Sequence, residues 1–430
     1  VSESDAAAQK HDPFAALREP RFVLYTLSRT FGVTAQMLVQ AVMAKHVYDI
    51  TGTEISLGVL GLVRFFPSLG LSLVGGAAAD TYNRRFIILA CQVLTITSVA
   101  LVAVASFGGS VQLGMIYGLA LVLGISSSFE GPARQALLPN IVKQETFQNA
   151  VSLTSTFQGL GMVIGPALGG VILAVSDYAE AYSVFVGLAA VSMLGMTLLR
   201  YEIVRATGSR VSLAAIREGV SFVRQSPVLL GAMSLDMFAV VFGGVQALLP
   251  VYSEDILHVG DLGYGILYSS LEVGAVIAYL GMLFRPPILN TGKALVYSVL
   301  LYGVFTIAFG LSRSFMLSVF LYGLIGAADG VSVVMRSTTI QLATPDALRG
   351  RVSAVAQVFI GASNQVGAME SGFVAAITSA TFAVVSGGVV AIGVSTAVAW
   401  RLRELFNYRI PRGETPMAEA AIEDAPVAAS

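Results

Sequence analysis

Asp236, Glu272 and Glu370 stand inside stretches that are otherwise apolar, as do the cations Arg29 and Arg64 and the acid Asp329. A charge at the centre of a bilayer costs at least about 2.5–3.5 kcal/mol on insertion scales, so each such residue is a functional candidate. A carboxyl in an oily cavity can take up and release a proton near neutral pH. Asp236, Glu272 and Glu370 are therefore the proton-coupling candidates. The competing reading makes each a fixed partner of Arg29, Arg64 or a helix backbone. Neutral polar groups at similar depths, Gln36, Gln158 and Asn364, join Arg29 and Arg64 as candidates to line a substrate cavity, together with Asp236 and Glu272. Glu130 and Arg134, four apart, share a helix face, and Asp329 and Arg336 lie two turns apart; both are read as structural ion pairs.

Other chemistry is thin. No G-x-x-x-x-G-K-[ST] loop cradles a nucleotide phosphate. His11, His46 and His258 have no metal-ligand spacing, and the single cysteine, Cys91, permits no disulfide framework, so no metal and no cofactor is expected. No serine nucleophile elbow appears, and the chain is not read as an enzyme.

The elements that must hold these residues follow from composition. The chain has 430 residues, 55% hydrophobic and only 12% charged, with a mean hydropathy of +0.78. A soluble domain carries about twice that charge, so this is an all-α polytopic membrane protein. A net charge of −1 gives no basic surplus for nucleic acid. The partners expected are the lipid bilayer and a small molecule, and a monomer is expected to suffice.

Apolar runs give about twelve spans: roughly 22–48, 55–79, 85–107, 112–138, 147–174, 178–200, 226–252, 262–285, 291–311, 314–342, 352–378 and 380–403. Residues 1–20 form an N-terminal segment without an apolar core, so the first span is expected to act as the insertion signal. Residues 21–200 and 226–403 then make two six-span bundles. Residues 201–225 between them include an amphipathic stretch with Leu213, Ile216, Val220 and Val223 on one stripe, expected to lie in the interface as a linker helix. Residues 404–430 are polar and expected to be disordered. With the N-terminus inside, nearly all Lys and Arg fall on the cytoplasmic side, and the outer side keeps only Lys45 and Arg313. Both termini are thus expected in the cytoplasm. The ends of the fourth and tenth spans also rhyme, with FEGPARQALLPN set against ADGVSVVMRSTT, which suggests an internal duplication.

Two motifs carry a resemblance. Gly76-x-x-x-Asp80 followed by Arg84 and Arg85 resembles the loop signature G-x-L-A-D-R-x-G-R-R of the major facilitator superfamily, with Thr81 in place of a basic residue and Asn83 in place of glycine. Gly161-x-x-x-Gly165-Pro166-x-x-Gly169-Gly170 resembles the fifth-helix motif of its antiporters and drug exporters. With YDITGTEISLGVLGLVRFFPSL, ARQALLPNIV and TPDALRGRV, these resemble the exporter branch that holds the enterobactin exporter and mycobacterial multidrug pumps. The body of the fourth span, LGMIYGLALVLGISSS, lacks the arginine that proton-coupled members often carry there. The resemblance implies two pseudo-symmetric six-helix bundles in a bacterial cytoplasmic membrane, with a substrate site between them near the midplane. It implies a cytoplasmic gate at Gly76, Asp80, Arg84 and Arg85, with Glu130, Arg134, Asp329 and Arg336 working beside it. It also implies proton-driven export of a small amphipathic molecule such as a siderophore, drug or hydrophobic metabolite. A lipid flippase and a non-transporting receptor or scaffold are the alternatives on the same architecture. Reporter fusions at the two ends of the chain test the count of crossings: both should report cytoplasm, and opposite sides would break it.

Overall fold

The computed structural model describes residues 15–143, 146–199, 213–284 and 288–410. Its helices are α1 Pro20–Thr51, α2 Glu54–Thr81, α3 Arg84–Phe107, α4 Leu113–Leu137, α5 Phe147–Val175, α6 Tyr178–Leu198, α7 Leu213–Gln225 and α8 Pro227–Phe242. They continue as α9 Leu249–Val251, α10 Gly260–Leu283, α11 Thr291–Leu311, α12 Phe315–Leu342, α13 Asp346–Ile377, α14 Ala380–Arg401 and α15 Arg403–Phe406.

The helix ends follow local chemistry. Pro20 opens α1, where a missing N–H costs nothing, and Gly52 closes it in the left-handed conformation with φ of 60°. Asn83 caps α3 by accepting from the Arg85 N–H at 3.0 Å. Asp177 and Glu180 form a reciprocal capping box at the start of α6. Nine helical segments among the described residues are long and apolar enough to cross a membrane, yet only 33–50% of each apolar window is buried within the protein. The remainder, including Leu101, Val104 and Phe107, is open to a hydrocarbon solvent. α1, α2 and α13 are at least as long as most of these, at 32, 28 and 32 residues, and α1 and α13 are less apolar because they carry polar groups named above.

The seventh expected span, 226–252, is broken. α8 stops at Phe242, and the chain turns through Gly243–Gly244 into a 3₁₀ turn, α9 and a π turn over Tyr252–Ile256. A Cβ on Gly243 would stand 2.5 Å from the Tyr302 hydroxyl, and one on Gly244 would stand 2.6 Å from the Gly367 carbonyl oxygen. Two glycines that admit neighbours this closely, followed by Pro250, cannot sustain a regular helix.

The chain divides into two units. The first comprises Val1–Arg210, Gln246–Glu272 and Arg313–Phe315; the second comprises Val211–Val245, Val273–Ser312 and Met316–Ser430. Within the first unit α1 packs on α5, α2 on α4 and α3 on α6. Within the second, α8 packs on α13 and α11 on α14, and α10 meets α12 where Gly330 faces Ala275. Counting long helices from the start of each half, both use the pairings one with five, two with four and three with six. A duplicated helix bundle has this signature. The amphipathic α7 lies on α13, where Glu218 pairs with Arg351 at 2.6 Å. Val223 of its expected stripe is buried, but Val220 is exposed. Leu213 and Ile216 have no described side chains, and 201–212 and 411–430 lie outside the described residues.

The glycine motif of α5 explains the α1–α5 contact. Gly161, Gly165, Pro166, Gly169 and Gly170 are all buried. Added Cβ atoms would meet Thr34 Oγ1 at 3.0 Å from Gly161, the Thr34 carbonyl at 2.6 Å from Gly165, and Val42 Cγ2 at 3.2 Å from Gly169. Gly170 faces Gly265 of α10, which a Cβ would approach at 2.5 Å. In the opening loop the crowded position is Gly75, whose Cβ would stand 3.1 Å from the Phe129 Cα; Gly76 meets nothing within 4 Å.

Substituting Gly165 by valine forces side-chain atoms into backbone and is expected to cost about 1–3 kcal/mol or more. Gly76→Ala is expected to be neutral or slightly stabilising, because open helix positions favour alanine. Thermal unfolding of the purified protein in detergent compares them. Equal losses would contradict the packing.

Candidate functional site

Four polar constellations account for most of the expected site residues. The first lies inside the opening unit, among α1, α3, α4 and α6. A cavity of about 210 Å³ is lined by Arg29, Gln36, Gln92, Ser126, Glu130 and Arg134, among others. Arg134 is 2% exposed, and its Nε donates to Glu130 Oε1 at 2.7 Å. Arg29 Nη2 donates to Gln158 Oε1 at 3.1 Å, which ties α1 to α5. Arg29, Gln36 and Gln158 are thus brought together, and the Glu130–Arg134 pair expected in the gate faces the same cavity. Gln92, Ser126 and Ser192 were missed by sequence reasoning. Gln92 could have been found, since it is a glutamine deep in an apolar span, eight residues past Arg84.

The second constellation is Arg64, Gln246, Tyr268 and Glu272, all in the first unit. The Tyr268 hydroxyl bonds with Gln246 and lies in the field of both Arg64 and Glu272. An acid and a base expected near the midplane therefore share one tyrosine.

The third was not anticipated. Lys45, counted from the sequence on the outer side near the end of the first span, is 2% exposed. Its ammonium meets Asp49 at 2.7 Å, Glu254 at 2.9 Å and Asp261 at 3.2 Å. The Tyr48 hydroxyl donates to Asp255 and the Tyr178 hydroxyl to Asp49. His46 stacks on Tyr178 with ring centroids 3.8 Å apart and bonds the Tyr182 hydroxyl through Nδ1 at 3.0 Å. The signal was present in the Lys45–Asp49 spacing and in the acidic segment SEDILHVGD, but their convergence is tertiary.

The fourth is in the second unit, where Asp236 of α8 forms a buried ion pair with Arg336 of α12. This corrects the expected Asp329–Arg336 pair. Seven residues along a helix rise about 10.5 Å, so the carboxylate comes from a neighbouring helix instead. A small cleft beside the pair is lined by Met237, Phe359 and Ser363. Asp329 lies in the field of the Tyr302 hydroxyl, and Glu370 accepts from the Ser371 hydroxyl at 3.3 Å. Asn364 is exposed. Neither Glu370 nor Asn364 lines the cleft beside the Asp236–Arg336 pair.

The basic turn fastens helices within the first unit. Arg84 donates to the carbonyls of Ala79 at 3.2 Å and Ala136 at 2.9 Å. Arg85 donates to those of Met196, at 3.0 Å, and Thr197. These carbonyls lie in the last turns of α2, α4 and α6, where cations interact well with the helix ends. The Asp80 side chain lies outside the described residues.

Residues 11–423 match the transmembrane secretion effector family, of the major facilitator type. The chain belongs to this family. It is similar to the multidrug efflux pump Tap of Mycolicibacterium fortuitum, 26% identical over 82% of this chain and 89% of that protein. It is also similar to the enterobactin exporter EntS of Citrobacter koseri, 28% identical over 93% and 94%. Among solved structures, the nucleoside transporter NupG aligns with a TM-score of 0.65 and 13% identity over 90% of this chain and 100% of that one, a likeness of fold. Family membership makes the chain an integral membrane transporter with efflux-pump relatives, not an enzyme.

Neutralising Lys45 as methionine leaves three carboxylates facing one another. The acids are each about a third exposed, so the loss should fall between the about 1 kcal/mol of an exposed pair and the about 3–5 kcal/mol of a buried one. Adding Asp49→Asn and Asp261→Asn to that variant should recover part of the loss in a thermal or denaturant melt. A Lys45→Met protein as stable as the parent would contradict the assignment.

Proposed function

We propose that this transporter exports a small amphipathic molecule, such as a siderophore, drug or hydrophobic metabolite, in exchange for protons by alternating access. The reading places it in a bacterial cytoplasmic membrane with both termini in the cytoplasm. The observation that carries the coupling is the Asp236–Arg336 pair, an acid and a base enclosed among spanning helices. Adding a proton to Asp236 would cancel the attraction and free Arg336 to move, so one proton would be exchanged for one rearrangement of α8 against α12. Glu130–Arg134 supplies a comparable pair in the first unit. Glu272 and Glu370 are further coupling residues in this reading. The efflux relatives support outward movement, and the polar cavity beside Arg29 and Gln36 supports a substrate with polar as well as apolar surface.

Inverted membrane vesicles energised by respiration test the proposal with a fluorescent amphipathic dye. The parent should accumulate the dye and release it when the proton gradient is collapsed. Asp236→Asn should lower gradient-driven uptake at least tenfold while leaving gradient-independent counterflow in place. Undiminished gradient-driven uptake by Asp236→Asn would remove the pair from the coupling step. Movement of labelled phospholipid with no dye transport would favour a flippase.

A further inference from the structure

The cavity in the first unit has a charge and hydrogen-bond pattern that specifies a ligand more narrowly than transport does. Two guanidinium groups, Arg29 and Arg134, face it with a single carboxylate, Glu130. The surplus is one positive charge in a bundle surrounded by hydrocarbon. Arg134 uses Nε on Glu130 and extends Nη1 to Ser28 Oγ at 3.4 Å. Its buried Nη2 has no hydrogen-bond partner among the described residues. A buried donor left so keeps its full desolvation penalty, larger still for a charged group, unless something in the cavity accepts from it.

Two further orphans sharpen the pattern. Ser192 donates its proton to the Ser28 carbonyl at 2.6 Å, so towards Gln92 it can only accept, and Gln92 Nε2 donates to it at 2.9 Å. That fixes the Gln92 amide with Oε1 as its unpartnered, buried atom; the Ser126 hydroxyl is also buried and unpartnered. The cavity wall therefore offers a cationic N–H, a neutral acceptor and a hydroxyl. Water would satisfy the hydrogen bonds but not the charge. At about 30 Å³ of liquid volume per water, the space exceeds what one or two waters fill.

We infer that this cavity binds a singly charged oxyanion that also carries an O–H group, the anionic oxygens meeting Arg29 and Arg134 and the O–H donating to Gln92 Oε1. Hydrogen carbonate, dihydrogen phosphate and an α-hydroxycarboxylate share that chemistry. The same group occurs free or borne by a larger amphipathic molecule, and the test below separates the two sources. The inference needs the helix bundle but neither export nor proton coupling, so its test uses no gradient.

Thermal unfolding of the full chain in non-ionic detergent, at fixed pH and ionic strength, is followed against glycolate, phosphate, acetate and chloride. Glycolate and phosphate should stabilise saturably, at least tenfold more tightly than acetate or chloride. Arg29→Gln should weaken glycolate at least tenfold and Arg29→Lys by no more than about threefold. Gln92→Met should erase the preference for glycolate over acetate while acetate still binds. Arg29→Lys and Gln92→Met keep the test alive if Arg29→Gln does not fold. Absence of saturable stabilisation, equal response to all four anions, or indifference to both sites would overturn the inference. Competition by 2-hydroxydodecanoate below its micellar concentration separates the two sources. Displacement of glycolate at a tenfold lower concentration supports a group carried on an amphiphile; displacement only at the concentration of glycolate itself supports a free small anion.

Discussion

A cation inside hydrocarbon must be neutralised where it stands, and this requirement organises the polar interior of the protein. Lys45 gathers three carboxylates, Arg134 holds Glu130, and Arg336 holds Asp236. In each case the partners come from positions that local sequence or tertiary packing brings to one helix face. Breaking such a pair costs far more than forming it gains, because the remaining charge keeps its full desolvation penalty. The pairs therefore fix which helices may be neighbours, and they make protonation of one carboxylate a structural event.

Close packing supplies the geometry in which those pairs can form. Without a hydrophobic difference between lipid and side chain, membrane helices associate through small residues that let backbones approach. Gly161, Gly165 and Gly169 present such a face to α1 at four-residue intervals, and α1 carries Arg29 and Lys45. Gly243 and Gly244 do the reverse, ending α8 so that the following segment, with Glu254 and Asp255, can turn away from a straight span. Arg84 and Arg85 then tie the carbonyl ends of neighbouring helices to the start of α3.

Much of this was legible in the sequence. Composition and the spacing of apolar runs set the class and the succession of helices, because hydrocarbon permits few alternatives. The α5 motif could be read because glycine every four residues has one physical use on a spanning helix. Arg29 and Gln36 drew attention in the sequence because polar groups at that depth are costly, and both line the cavity of the first unit. What failed to show was pairing between distant positions. Arg336 was matched to Asp329 on its own helix, whereas its partner lies a hundred residues earlier in the chain. Lys45 was only counted as a cation on the outer side, because its acids Glu254 and Asp261 arrive from over two hundred residues away. Gln92 passed unnoticed because one amide barely alters the hydropathy of a strongly apolar helix. The break after Phe242 was hidden for the same reason, since Gly243 and Gly244 are apolar in composition and disruptive only in context.

The central claim, that buried ion pairs determine which helices pack together, is tested most directly by a double-mutant cycle on Asp236 and Arg336. Unfolding free energies are measured for the parent, Asp236→Asn, Arg336→Gln and the double variant in one detergent. The account predicts that each single change destabilises strongly and that the double change costs less than the sum by at least about 1.5 kcal/mol, within the range for contacting residues. Losses that add within about 0.5 kcal/mol would mean that the two side chains do not depend on each other, and the account would be contradicted.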